Sequence, residues 1–131
     1  MNVGKVAQQT GLPIKTLHYY EEIKLVVPNR QENGYRIYNN TDVHKLAFIN
    51  RARRLGFSVE DCRALVTFYE DKNRASADVK AIGSRHLDEI EIKIKELMSL
   101  RDTLKPLVVT CHGNDGPDCP IIDGLAGDDK L

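Results

Sequence analysis

The stretch CHGNDGPDCP, residues 111–120, sets two of the chain's three cysteines at the ends of a polar loop with seven residues between them. Ligand count decides which metal such a pair suits. Zinc sites usually take four ligands, and only His112 stands nearby as a third donor. An iron–sulfur cluster takes about four cysteines, which the chain lacks. Copper(I) is soft, selects thiolates and is satisfied by two of them in a near-linear arrangement. Seven intervening residues are enough to turn the chain so that Cys111 and Cys119 face each other, and Gly113, Gly116, Pro117 and Pro120 favour a fixed turn over a helix. Read from these residues alone, the loop is a clip for a soft metal, a pair of inert thiols or the site of an adventitious disulfide. His112 is expected outside the ligand set. Cys62, within an amphipathic helical pattern, is expected to be packing.

A loop of this kind has to be held by something stiffer on each side. From Ser76 to about Lys105 runs one helical pattern without internal proline, roughly 45 Å at 1.5 Å per residue. Leu87, Ile90, Ile94, Leu97 and Leu104 recur along it at spacings of 3 and 4, with Arg101 interrupting. The chain offers no second long helix to cover that stripe, so pairing between two copies is expected. Pro106 is expected to end or kink this helix. The tail after residue 111 carries five Asp against one Lys, and its last residues, AGDDKL, are expected to fray.

The first 70 residues read as a compact helical unit with one hairpin. VGKVAQQTGLPIKTLHYYEE suggests two short helices about a turn at Gly11, with Pro13 at the first position of the second. Ile14 and Leu17 should then face inward and Lys15, Thr16, His18 and Tyr19 outward. Asn33-Gly34, between LVVPNRQE and YRIY, signals a small two-stranded wing. TDVHKLAFINRARRLG reads as a helix capped by Thr41 and stopped by Gly56, with Val43, Leu46, Ile49 or Phe48, and Ala52 on one face. Ser58 and Asp61 resemble a capping box opening SVEDCRALVTFYED. The polar stretch DKNRA, residues 71–75, separates this unit from the long helix.

Charge supports a polyanion partner without proving one. The whole chain is formally neutral, but residues 1–70 hold 10 basic against 7 acidic side chains and residues 71–131 hold 9 against 12. No signal peptide, transit peptide or membrane-spanning run is visible, so a soluble cytoplasmic protein without membrane association is expected. Three cysteines argue against a disulfide framework. No Ser/His/Asp set, paired carboxylates or phosphate-binding loop stands out, so an enzyme is not expected. In the two-helix unit, Ala7 at the helix crossing, Gly11 at the turn and the outward cationic face are what a helix entering a major groove requires. Arg30, Tyr35 and Arg36 on the hairpin are placed to grip phosphates beside it, whereas Tyr38 is expected to be cross-strand packing.

VAQQTGLPIKTLHYYEEIKLV, ENGYRIY and FINRARRLGFSVEDCRAL in succession resemble the MerR family of bacterial transcription regulators. SADVK at the start of the long helix and CHGNDGPDCPIIDGL at its end resemble the copper-sensing branch, of CueR or HmrR type. The resemblance covers residues 1 to about 126. It implies a mainly α fold: a winged helix-turn-helix domain over residues 1–70, a dimerisation helix over 76–106 pairing antiparallel with its twin, and a metal loop with a short terminal helix over 107–131. It further implies a homodimeric activator with copper(I) as effector, open also to silver(I) or gold(I). Cys111 and Cys119 would bind the metal, and Ser76 would lie beside the partner's loop without ligating it. Double-stranded promoter DNA, with RNA polymerase on the same promoter, would be the partner, read by Lys15, Thr16, His18, Tyr20, Arg30, Tyr35 and Arg36. Metal binding would switch the dimer to a form that bends and underwinds the promoter spacer of copper efflux or detoxification genes. The chain departs from the family in carrying His18 where arginine is usual, and in Pro106. A rival expectation, from a different class, is a cytosolic copper-buffering or copper-delivery protein with an incidental helical domain.

Overall fold

The computed structural model describes residues 1–127 and divides into two units, Met1–Ile82 and Gly83–Leu131. Of the ending expected to fray, positions 128–131 lie outside the described residues. The chain is mainly helical: α1 (Val3–Thr10), α2 (Ile14–Glu22), β1 (Asn29–Arg30), β2 (Arg36–Ile37), α3 (Asn40–Arg54), α4 (Val59–Glu70), α5 (Ser76–Thr110) and α6 (Pro120–Ala126). No helix among the described residues is long and apolar enough to cross a membrane.

In the first unit, the side chain of Asn2 accepts the Lys5 N–H at 2.9 Å and so starts α1. Gly11 ends it in the left-handed region, at φ +76°, where its N–H reaches the Ala7 carbonyl. Helix α2 begins one residue later than the sequence suggested, because Pro13 serves as the cap rather than the first helical residue. Its buried pair is Leu17 and Tyr20, one turn apart, whereas Ile14 in the first turn is 43% exposed. Ile14 therefore does not face inward as expected. The helix closes with the Leu25 N–H on the Tyr20 carbonyl at 2.8 Å, and Lys24 takes the left-handed conformation (φ +59°) that such a closure demands.

The wing pairs Asn29 with Ile37 and Arg30 with Arg36. Its tip differs from the two-residue turn that Asn-Gly suggests. Only Gly34 has positive φ, the Gly34 N–H bonds Gln31 O, and the Gln31 N–H bonds Tyr35 O. A turn followed by a left-handed glycine, the three-residue hairpin loop, accounts for this.

Helix α3 starts at Asn39, not Thr41. The Asn39 side chain accepts the Asp42 N–H and the Asp42 carboxylate accepts the Asn39 N–H, a reciprocal capping box that a threonine two residues on cannot make. Val43, Leu46, Ile49 and Ala52 form its buried face, and with Val6, Leu12, Leu17, Tyr20, Leu25, Val26, Tyr38, Cys62 and Val66 they make up the core of this unit. Cys62 is fully enclosed, and burial pushes its thiol pKa up. Ser58 caps α4 by accepting the Asp61 N–H at 3.0 Å.

Helix α5 does not stop at Pro106. It runs through to Thr110 with the proline inside. A proline removes one backbone bond, and the turn beyond it is closed by the Thr110 hydroxyl donating to Pro106 O at 2.9 Å and the Cys111 N–H to Leu107 O at 3.2 Å. In the second unit α6 lies against the end of α5 through Gly124, where an added Cβ would stand 3.3 Å from Leu107 Cδ1.

Candidate functional site

Two groups of side chains stand out, one in each unit. In the first, the α1–α2 turn is set by a small network: Asn50 on α3 donates to the Thr10 carbonyl at 2.9 Å, and the Thr10 hydroxyl donates to Val6 O at 2.7 Å. This fixes α2 so that Lys15, His18 and Tyr19 are exposed and Thr16 is half-buried. Tyr20, expected at the DNA, is corrected to the core. It is 4% exposed, and burial raises its hydroxyl pKa, because it shares the inner face of α2 with Leu17.

On the wing, Tyr35 is 71% exposed. Arg36 and Tyr35 line an open cleft of about 630 Å³ together with Met1, Val3 and Gln31. The sequence reading did not single out Glu21, yet it is the hub of the wing's ion pairs. Its carboxylate takes Arg30 Nη2 at 2.8 Å and Arg36 Nε through its other oxygen, while Arg30 Nη1 donates to Gly34 O at 2.8 Å. The hydrogen bond from Arg36 is the main cause holding Glu21 below the usual carboxylate range; partial burial opposes it and Arg30 reinforces it. The signal available was an acidic residue on a cationic helix face, near two arginines paired across a hairpin. Tyr38 is 1% exposed, as packing requires, and its hydroxyl has no hydrogen-bond partner among the described residues.

In the second unit, Cys111 follows the last residue of α5 and Cys119 caps α6, with Pro120 as that helix's first residue. The loop between them folds back through Gly113, at φ +65°, and an Asn114 turn in which the Gly116 N–H donates to Asn114 Oδ1 at 2.8 Å. The two Sγ atoms end 3.7 Å apart, both half-buried. Two thiolates share one ion when their sulfurs lie within about twice a metal–sulfur bond of roughly 2.3 Å; 3.7 Å is inside that limit but shorter than the near-linear span expected from the sequence, so the sulfurs stand closer than that arrangement requires. The Cys119 thiol is lowered from its ordinary pKa, first by the Ile122 N–H, then by the Cys111 thiol and the Ile121 N–H, all converging at the start of α6. Among the described residues, no group of three or more His, Cys, Asp or Glu side chains converges as a metal site; His112 is exposed. Ser76, the first residue of α5, is exposed and belongs to the first unit.

Along α5 in the second unit, Leu87, Ile94, Leu97 and Leu104 of the predicted stripe are 55%, 44%, 64% and 51% exposed. Ile90 of the same stripe is half-buried, and the other four positions are uncovered in a single chain.

Two family models match this chain: MerR HTH family regulatory protein over residues 1–69, and MerR, DNA binding over residues 43–107. The transcriptional regulator HmrR of Rhizobium leguminosarum bv. viciae is 58% identical over 126 residues, covering 96% of this chain and 98% of that protein. The transcriptional regulator CueR of Salmonella typhimurium is 46% identical, covering 97% and 93%. Among solved structures, PbrR691 from Ralstonia metallidurans CH34 in complex with lead(II) superposes with a TM-score of 0.78 at 25% identity, over 95% of this chain and 98% of that one.

Proposed function

The chain belongs to the MerR family of helix-turn-helix transcription regulators, and from that premise we propose that it is a copper(I)-responsive regulator, open also to silver(I) and gold(I), acting on promoter DNA as a homodimer. Its relatives are regulators rather than enzymes over nearly the whole matched length, which leaves the copper-carrier reading without support. The observation that carries the metal assignment is the pair of half-buried thiols 3.7 Å apart with no third such donor converging on them among the described residues. Two thiolates satisfy copper(I) and leave zinc two ligands short.

Cys111 and Cys119 are the proposed ligands. Their thiolates with a monovalent ion leave a residual negative charge, which the backbone N–H groups at the start of α6 favour. Ser76 of a second copy is placed, in this reading, beside the loop as a neighbour and not a ligand; the uncovered stripe of α5 supports the pairing that brings it there. Cys111 just beyond α5 and Cys119 at the start of α6 would hold the metal, and its binding would tie those two elements together. Deforming a promoter costs a few kcal/mol, so closing the loop has to bias two protein states by a comparable amount. At the DNA, Lys15, Thr16 and His18 face the major groove in this reading, with Tyr35 and Arg36 on flanking phosphates; Arg30, expected there from the sequence, has both terminal nitrogens bonded within the wing region and supports Arg36 from behind. RNA polymerase at the same promoter and copper efflux genes complete the proposal.

The test is titration of the reduced protein with copper(I) and zinc(II), repeated for Cys111→Ser and Cys119→Ser. Stoichiometric copper(I) binding lost in both variants is expected; zinc binding of equal or greater strength would refute the assignment.

A further inference from the structure

Beyond β2 the wing is tied by the reciprocal backbone pair of Met1 and Tyr38, and Glu21 adds an ion-pairing side chain from another element that reaches both strands. It stands on α2, its side chain 15% exposed, and receives Arg30 from β1 and Arg36 from β2, whose side chains are 46% and 30% exposed. The strands it holds are two residues each, too short to keep a fixed angle to the helix unaided. The two arginines are bonded differently. Arg30 has both terminal nitrogens engaged, one on Glu21 and one on Gly34 O at the wing tip. Among the described residues Arg36 is gripped through Nε alone, which leaves its two terminal amino groups as a fork of the kind that binds phosphate.

We infer that Glu21 is a positioning residue for DNA recognition, a clasp that sets the wing against the outward face of α2, aims Arg36 and uses Arg30 as its brace. Phosphate contacts set the register of a protein on a duplex, and base contacts read the sequence. Joining the phosphate-binding wing to the reading helix through one carboxylate couples the two. The same carboxylate cancels one positive charge of the pair, which weakens attraction to DNA of any sequence. Glu21 therefore raises the ratio of specific to non-specific binding from both sides. The inference rests on the DNA-binding reading above.

The wild-type protein is used to select from a pool of random-sequence duplexes. The enriched duplex then serves as the specific probe and a scrambled duplex of the same composition as the non-specific one. Glu21→Ala is expected to lose at least about tenfold in affinity for the enriched duplex while its affinity for the scrambled one stays level or rises. Glu21→Gln, which keeps a single acceptor oxygen, is expected to fall between. Arg36→Ala is expected to reduce the salt dependence by about one counterion, and Arg30→Ala to lower the specificity ratio without changing that slope. Affinities for both duplexes rising by the same factor in Glu21→Ala would reduce Glu21 to a repulsive charge and overturn the inference. Affinities falling together, in step with the unfolded fraction seen by thermal melting, would overturn it in favour of a purely structural role. Failure of the wild type to enrich any sequence would sink the DNA-binding reading itself, and the inference with it.

Discussion

Cys119 and Glu21 are ionisable groups whose surroundings favour the charged form, by different means. Cys119 owes this chiefly to backbone N–H groups at the start of α6, so copper(I) affinity should fall as acid protonates the thiols. Competition with a copper(I) chelator across pH measures it, and a flat profile would contradict thiolate ligation. Glu21 owes it chiefly to Arg36. Its folded pKa lies below its unfolded value of about 4.3, so the stability it contributes is complete above that value and is lost as pH falls through the depressed one. Melting temperature followed into acid should therefore drop less steeply in Glu21→Gln than in wild type. A steeper acid loss in the variant would show that the carboxylate does not stabilise the fold.

Among elements, α3 and α6 make the clearest tests. The Asn39–Asp42 capping box starts α3, and Asn39→Ala should cost about 1 kcal/mol of unfolding free energy. Leu46, fully buried in the middle of that helix, should cost about 2–5 kcal/mol on truncation to alanine. Urea unfolding separates the two, and equal small losses would contradict the placement of Leu46. At α6, a Cβ at Gly124 would already stand 3.3 Å from Leu107 Cδ1, so a large side chain there has to displace Leu107 or α6 itself. Gly124→Leu should push α6 off the end of α5 and, with Cys119 as its cap, weaken copper(I) binding while leaving the melting of the first unit unchanged. Unaltered copper(I) affinity would mean that the thiol loop does not depend on this contact.

For the whole molecule, the unmet demand is the apolar stripe of α5. Burying a Leu or Ile side chain contributes about 1.5–3 kcal/mol, and Leu87, Ile94, Leu97 and Leu104 each remain about half or more exposed in one chain. A second copy is the proposed cover. Leu97→Glu should then convert a dimer to monomer by sedimentation and abolish operator binding, since one reading helix spans only one half-site. A wild-type monomer in solution would remove the basis for placing Ser76 of a second copy beside the loop.

The helical character of the chain, the turn at Gly11, the buried face of α3 and the pairing of Cys111 with Cys119 were legible in the sequence, because each rests on local spacing or residue chemistry. Helix starts at Asn39 and Pro13 lay a residue or two from their expected places, since caps compete over short distances and only the made hydrogen bonds decide between them. The continuation of α5 through Pro106 depended on contacts beyond the proline that a breaker rule does not weigh. Tertiary structure alone turned Tyr20 inward and Ile14 outward, because a helix face is buried only where another element meets it. It alone joined Glu21 to arginines 9 and 15 residues away, a convergence produced by the fold that no spacing along the chain announces.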